Sequence, residues 1–77
     1  MTQDEFRAVE SAVSETHADM AKRLGISEVS VKRYATGAQS IPEHIARLAV
    51  ALLLMQREGL QKKFENLLDK YHGDTQN

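Results

Sequence analysis

Between Thr16 and Gly37 the chain reads THADMAKRLGISEVSVKRYATG, and polar groups gather around one short segment of it. Lys32 and Arg33 donate to oxygen acceptors and neutralise anions, Ser30 both donates and accepts, and Glu28 accepts, with the apolar Val29 among them. This is the chemistry of recognition by hydrogen bond and charge. The sequence has no cysteine nucleophile, no glycine-rich phosphate loop and no carboxylate pair tied to a substrate pocket, so an enzyme is not expected. His17, His44 and His72 lie far apart and lack the paired spacing of a metal site, so neither a metal nor another cofactor is expected.

The residues around this segment specify how it is held. Thr16 and Asp19 form a capping-box-like start that places a helix from about His17. Met20, Ala21 and Leu24 fall on one stripe of it, and Ala21 is small where a crossing helix must come close. Gly25 stands where a C-terminal cap demands positive φ, and Ile26 can plug the turn into the core. Ser27 is an N-cap for a second helix from Glu28 to about Ala35, with Val31 and Tyr34 marking its buried side. Two short amphipathic helices joined by a sharp glycine turn suit a helix-turn-helix, in which the second helix enters the major groove of DNA.

Ala21, Leu24-Gly25-Ile26-Ser27, Val31, Tyr34 and Gly37 resemble the pattern of the lambda-repressor and Cro-like (XRE-type) helix-turn-helix regulators. The resemblance covers roughly residues 3 to 55 and is best defined over residues 16–37. It implies a phosphate contact for His17 at the start of the first motif helix. It implies that Ser27, Glu28, Val29 and Ser30 face base edges or nearby phosphates, with Lys32 and Arg33 at later, outward positions. It also implies that the loop from Thr36 to Ser40, including Gln39, and His44 lie against the DNA backbone. Tyr34 has two readings, a phosphate contact or core packing with its hydroxyl at the rim. Glu28 departs from the pattern: an acid beside phosphates either accepts from a cytosine amino group or lowers affinity by repulsion.

Composition sets the outer limits. Seventy-seven residues hold one domain, and a domain this small buries only about 60% of its unfolded surface, so a partner chain is stabilising. The net charge is −1, yet its distribution is uneven. Residues 1–15 carry one base against four acids, residues 16–47 five bases against three acids, and residues 48–77 four of each. A modestly basic motif predicts weak non-specific binding and reliance on a defined site. With no long apolar run and no signal-peptide pattern in MTQDEFRAVE, the expected location is the cytoplasm and no membrane partner is expected.

The flanks read as further helices. Thr2 and Glu5 cap a first helix from about Gln3 to Val13, with Phe6, Val9 and Val13 on one side. After the loop at Ala38-Gln39-Ser40, a new helix is expected with Pro42 in its first turn and Ile41, Ile45, Leu48, Leu52 and Met55 closing the core. Residues 49–55 are apolar on more than one face, and Leu60, Phe64, Leu67, Leu68 and Tyr71 resume a helical stripe beyond Gly59. Either one bent helix runs from Pro42 to about Tyr71, or two helices meet near Gly59. The segment from about 42 to 71 is expected to form a dimer interface through Leu52, Met55, Leu60, Phe64, Leu67, Leu68 and Tyr71, because palindromic operators are read by two-fold dimers. A fold-back of this segment onto its own domain is the other reading.

The expected protein is therefore an all-α, compact four- to five-helix bundle. Residues 1–72 form a single domain with a central helix-turn-helix and a C-terminal amphipathic helix, followed by a disordered tail over 73–77. The expected function is that of a homodimeric, sequence-specific double-stranded DNA-binding regulator, most simply a repressor. It is similar in build to short regulators of phages, plasmids, toxin–antitoxin operons and anti-CRISPR operons. The alternatives are an antitoxin-like protein whose C-terminal helix binds another protein, and a helical adaptor that never touches DNA.

Overall fold

The local start and stop signals resolve into five α-helices, and no strand occurs among the described residues. A computed structural model describes the backbone of residues 1–75 and the side chains of residues 1–71. The helices are α1 (Gln3–Val13), α2 (His17–Leu24), α3 (Glu28–Thr36), α4 (Glu43–Arg57) and α5 (Gln61–Thr75). The protein is a small all-α bundle, and no described helix is long and apolar enough to cross a membrane.

Each boundary has a chemical cause. At α1 the capping box is reciprocal: Thr2 Oγ1 accepts from Glu5 N at 3.1 Å, and Thr2 N donates to Glu5 Oε1 at 2.8 Å. At α2 only half of that device forms. Thr16 Oγ1 accepts from Asp19 N at 3.0 Å, while the Asp19 carboxylate accepts from Glu15 N at 3.3 Å, one residue before the cap. Gly25 ends α2 at φ 71° and ψ 31°, with its own N–H and that of Ile26 both donated to the Ala21 carbonyl.

The C-terminal half settles one open reading and corrects two expectations. Gly59 has φ 68°, Leu60 N donates to Met55 O at 2.7 Å and Gly59 N to Gln56 O at 3.3 Å. This Schellman pattern ends α4, so two helices meet at Gly59 rather than one bending there. Pro42 is the N-cap of α4 and not a first-turn residue, because its ψ of 150° keeps the chain extended until Glu43. The helix α5 continues through Gly73 to Thr75, where a disordered tail had been expected from residue 73. No proline interrupts it, and one internal glycine costs a helix only about 1 kcal/mol. Residues 76–77 of that expected tail lie outside the described residues.

The core gathers one stripe from each of the first four helices: Phe6, Val9 and Val13; Met20, Ala21 and Leu24; Val31, Tyr34 and Ala35; and Ile45, Ala46, Ala49 and Leu52. Helix α1 is the common brace, packing on α2, α3 and α4. On α4 the expected stripe is shifted: Ala46 and Ala49 are buried where α1 lies against α4, while Ile41, Leu48 and Met55 are half-buried at its margin. Small side chains allow the closer approach of two helix backbones. The ring of Phe6 meets Tyr34 edge-on, with centroids 5.7 Å apart and planes at 71°. A polar tie reinforces that contact, since Gln3 Nε2 donates to the Ala35 carbonyl at 2.9 Å.

Gly37 and Gly25 thus make different demands. Both have positive φ, but a Cβ at Gly37 would stand 2.6 Å from Gln3 Oε1, whereas one at Gly25 meets nothing within 4 Å. Gly25→Ala is expected to cost about 1 kcal/mol from backbone strain alone. Gly37→Ala should cost more, and replacing Gln3 by alanine should erase the difference between the two; denaturant midpoints of the five variants check this. Glu5 provides an acid-linked test, because its hydrogen bonds from the Thr2 backbone and side chain lower its pKa. A depressed carboxylate stabilises above its unfolded pKa and is lost as pH falls through the folded one. Glu5→Gln should therefore lower the thermal midpoint at neutral pH, and the difference from the parent should close as pH falls through the lowered pKa of Glu5.

Candidate nucleic-acid interface

Helix α3 is buried on one side and open on the other. Val31, Tyr34 and Ala35 face α1 and α2, while Ser27, Glu28, Val29, Lys32, Arg33 and Thr36 are exposed and Ser30 is half-buried. The geometry follows from the glycine turn: the left-handed Gly25 reverses the chain within three residues, Ile26 tucks against the core, and Ser27 starts α3 already packed on α2. Past Gly37 the exposed residues Gln39 and Ser40 border the same end of α3, held there by Gln39 N donating to the Arg33 carbonyl at 3.2 Å. His44 is exposed on the first turn of α4.

Several expected contact groups are engaged within the chain. Ser27 Oγ accepts from Ser30 N at 3.1 Å and donates to Ser30 Oγ at 3.0 Å, so the two hydroxyls cap α3 together. Lys32 Nζ lies 3.6 Å from Glu28 Oε1 across one helical turn, with both side chains half exposed. Thr36 Oγ1 donates to the Arg33 carbonyl at 3.4 Å. Nδ1 of His17 lies 2.6 Å from Glu10 Oε2, which pins the ring to α1, so a phosphate would meet its other nitrogen. No ion pair engages Arg33 among the described residues.

Burial decides one open reading and corrects one expectation. Tyr34 is 5% exposed and meets Phe6 edge-on, so of its two readings core packing is the one met, with its rim lining a depression beside Gln39 and Ser40. Leu52 is 1% exposed inside its own domain and cannot reach a partner chain, because the inward face of α4 is the one that carries it. Met55 and Phe64 are half-buried against that core, whereas Leu60, Leu67, Leu68 and Tyr71 are exposed. The fold-back reading of α5 is thus met at Phe64, and a free apolar edge remains beyond it.

Arg7 is the residue that sequence reasoning passed over. It lines one polar depression with Glu10, Ser14, His17 and Glu28, where α1 runs beside the start of α3. Its spacing from Gln3 and Glu10, four and three residues away, puts all three on one stripe of α1, which was the signal available. Lys22 and Arg23, by contrast, line a depression with Asp19 and Glu65 of α5, and Arg23 Nε bonds Asp19 Oδ2 at 3.2 Å. Those two cations serve the edge between α2 and α5. Among the described residues no three His, Asp or Glu side chains converge as a metal site would require.

Among the described residues the site offers two guanidinium groups without an ion pair, Arg33 and Arg7, one lysine shared with an acid, hydroxyl and amide groups at both ends of α3, and an apolar Val29 between them. No protein-family model, no curated protein and no solved structure matches this chain.

Proposed function

We propose that this protein is a sequence-specific double-stranded DNA-binding transcriptional regulator that acts as a homodimer in the cytoplasm, most simply an autorepressor whose bound recognition helices exclude polymerase from a promoter. The observation that carries the proposal is the open face of α3, which presents Glu28, Val29, Lys32, Arg33 and Thr36 while its opposite face is locked by Val31, Tyr34 and Ala35. A nine-residue helix is about 13 Å long, and with its side chains it fits the roughly 12 Å width of the major groove. Arg33 and Lys32 supply donors to guanine or phosphate, and Val29 supplies apolar contact to a thymine methyl. Gln39, Ser40 and the ring of His17 flank the helix and set register on the phosphates, with Arg7 as an added cation.

A second reading has its own observation. Leu67, Leu68 and Tyr71 are exposed on α5, and a helix whose described contacts are with α4 and the edge of α2 is free to offer them to another protein, as an antitoxin-like segment does. Both activities fit one chain, because α5 does not pack on α3.

Gel shifts on the DNA upstream of the protein's own gene, with an unrelated duplex as competitor, test the first reading. Arg33→Ala is expected to lower operator affinity at least about tenfold, the loss of one donor pair to a base, while leaving the oligomeric state intact. Unchanged affinity removes Arg33 from the interface. Glu28→Gln is expected to raise non-specific affinity and steepen the salt dependence by about one counterion, since it frees Lys32 and removes an anion facing phosphates. A fall in operator affinity with non-specific binding unchanged would instead assign Glu28 to a cytosine.

A further inference from the structure

The outward face of α4 carries apolar side chains that no element of its own domain covers. Val50 is 54% exposed and Leu54 is 58% exposed, one turn apart on the same line of the helix. Beside Val50 lies an open groove between α1 and α4, lined by Met1, Ala8, Val9, Ala46 and Val50, with Glu5, Glu43 and Arg47 at its rim. Leu54 stands one turn beyond the groove. Arg57 is exposed almost one turn further, near the C-terminal end of the helix, while Glu43 opens it.

These positions are self-complementary. In an antiparallel pairing of two α4 helices about a two-fold axis at Val50, Leu54 lies about 6 Å along the helix from the axis and the partner's Ala46 lies the same distance from it. Leu54 therefore enters the partner's α1/α4 groove where the small, largely buried Ala46 forms its floor. On the same count Arg57 and the partner's Glu43 both lie about 10.5 Å from the axis and meet as opposite charges. Each contact occurs twice, as an isologous interface requires. Glu43 is held only by an exposed pair with Arg47 at 4.0 Å, which it can exchange for Arg57 at little cost.

We infer that a second copy of this chain docks on the outward face of α4, with Leu54 seated in the partner's α1/α4 groove and Arg57 paired with the partner's Glu43. The occupant is identified by shape and charge together: the groove is apolar, two acids and one base, Arg47, stand at its rim, and this chain's own Leu54 and Arg57 match its floor and Glu43 at the required spacing. Helix α3 packs on α1 and α2 and does not pack on α4, so the pairing leaves the recognition face open. This surface lies on another face than the interface expected from the sequence, which ran from Leu52 and Met55 of α4 through Leu60 to Phe64, Leu67, Leu68 and Tyr71 of α5. It depends on the proposed function only for the expectation of two copies, and its test uses no DNA, so the two fail separately.

The patch is small, so a dimer of micromolar affinity is expected, and sedimentation equilibrium from about 5 to 200 µM resolves it. Leu54→Glu and Arg57→Glu should each raise the dimer dissociation constant at least about tenfold. The double variant Glu43→Arg with Arg57→Glu should restore the dimer. Leu67→Glu on α5 should leave it unchanged. Circular dichroism checks that each variant keeps its helices, which the exposure of all four side chains allows. A parent chain that stays monomeric throughout, a dimer indifferent to Leu54 and Arg57, or a dimer lost only with Leu67→Glu overturns the inference.

Discussion

The edge of the Phe6 ring against Tyr34 is the contact on which the arrangement of this domain depends. Phe6 is fully buried on α1, the helix that packs on α2, α3 and α4, and Tyr34 is the largest side chain α3 contributes to the core. Together with the Gln3 bond to the Ala35 carbonyl, it fixes both the depth and the rotation of α3. Rotation decides which residues face outward. With Tyr34 turned in, Val29, Lys32, Arg33 and Thr36 are necessarily turned out, because a helix holds its side chains at fixed angular intervals. A domain of this length has few kcal/mol to spare, so one aromatic pair and one buried stripe per helix are a large share of what holds it together.

Electrostatics around α3 are restrained. The chain carries a net charge of −1, Glu28 stands beside Lys32, and Glu10 holds His17. Exposed ion pairs of this type add little to stability, and their larger effect is on what approaches the surface. By partly neutralising its own cations, the face lowers the sequence-independent attraction to phosphate. On the proposed function, affinity then rests on base contacts and on a second copy. Arg33, without an ionic partner among the described residues, is the group that proposal assigns to the former.

The surplus of apolar surface lies on α4 and α5. A helix in a small bundle can bury one stripe against its own domain, and α4 does so with Ile45, Ala46, Ala49 and Leu52. Its run of consecutive apolar residues leaves Val50 and Leu54 outside. On α5 only Phe64 among the large side chains packs partly on the core, leaving Leu67, Leu68 and Tyr71 exposed. Two separate apolar edges on one small chain are consistent with two different macromolecular contacts.

The starts and stops of α1, α2 and α3 were legible in the sequence because their causes are local. Thr2, Thr16 and Ser27 each satisfy an amide three residues on, and Gly25 and Gly37 each allow a left-handed backbone where a helix ends, whereas the break at Gly59 and the cap at Pro42 were not decided there. The stripes of α1, α2 and α3 were legible for the same reason, since periodicity is a property of one helix. What lay beyond the sequence was every choice between equivalent faces. The run Ala49 to Met55 is apolar all round, so periodicity placed Leu52 both in the core and in a dimer interface, and the packing of α1 on Ala46 and Ala49 decided that it points inward and Leu54 outward. Nothing near His17 in the one-dimensional pattern showed that its ring is already engaged, whereas the spacing of Glu28 and Lys32 was visible. The tertiary structure alone brought Glu10 to His17 and Gln3 to the end of α3, because contacts between helices depend on how their backbones cross, and crossing is set by the whole core rather than by any one segment.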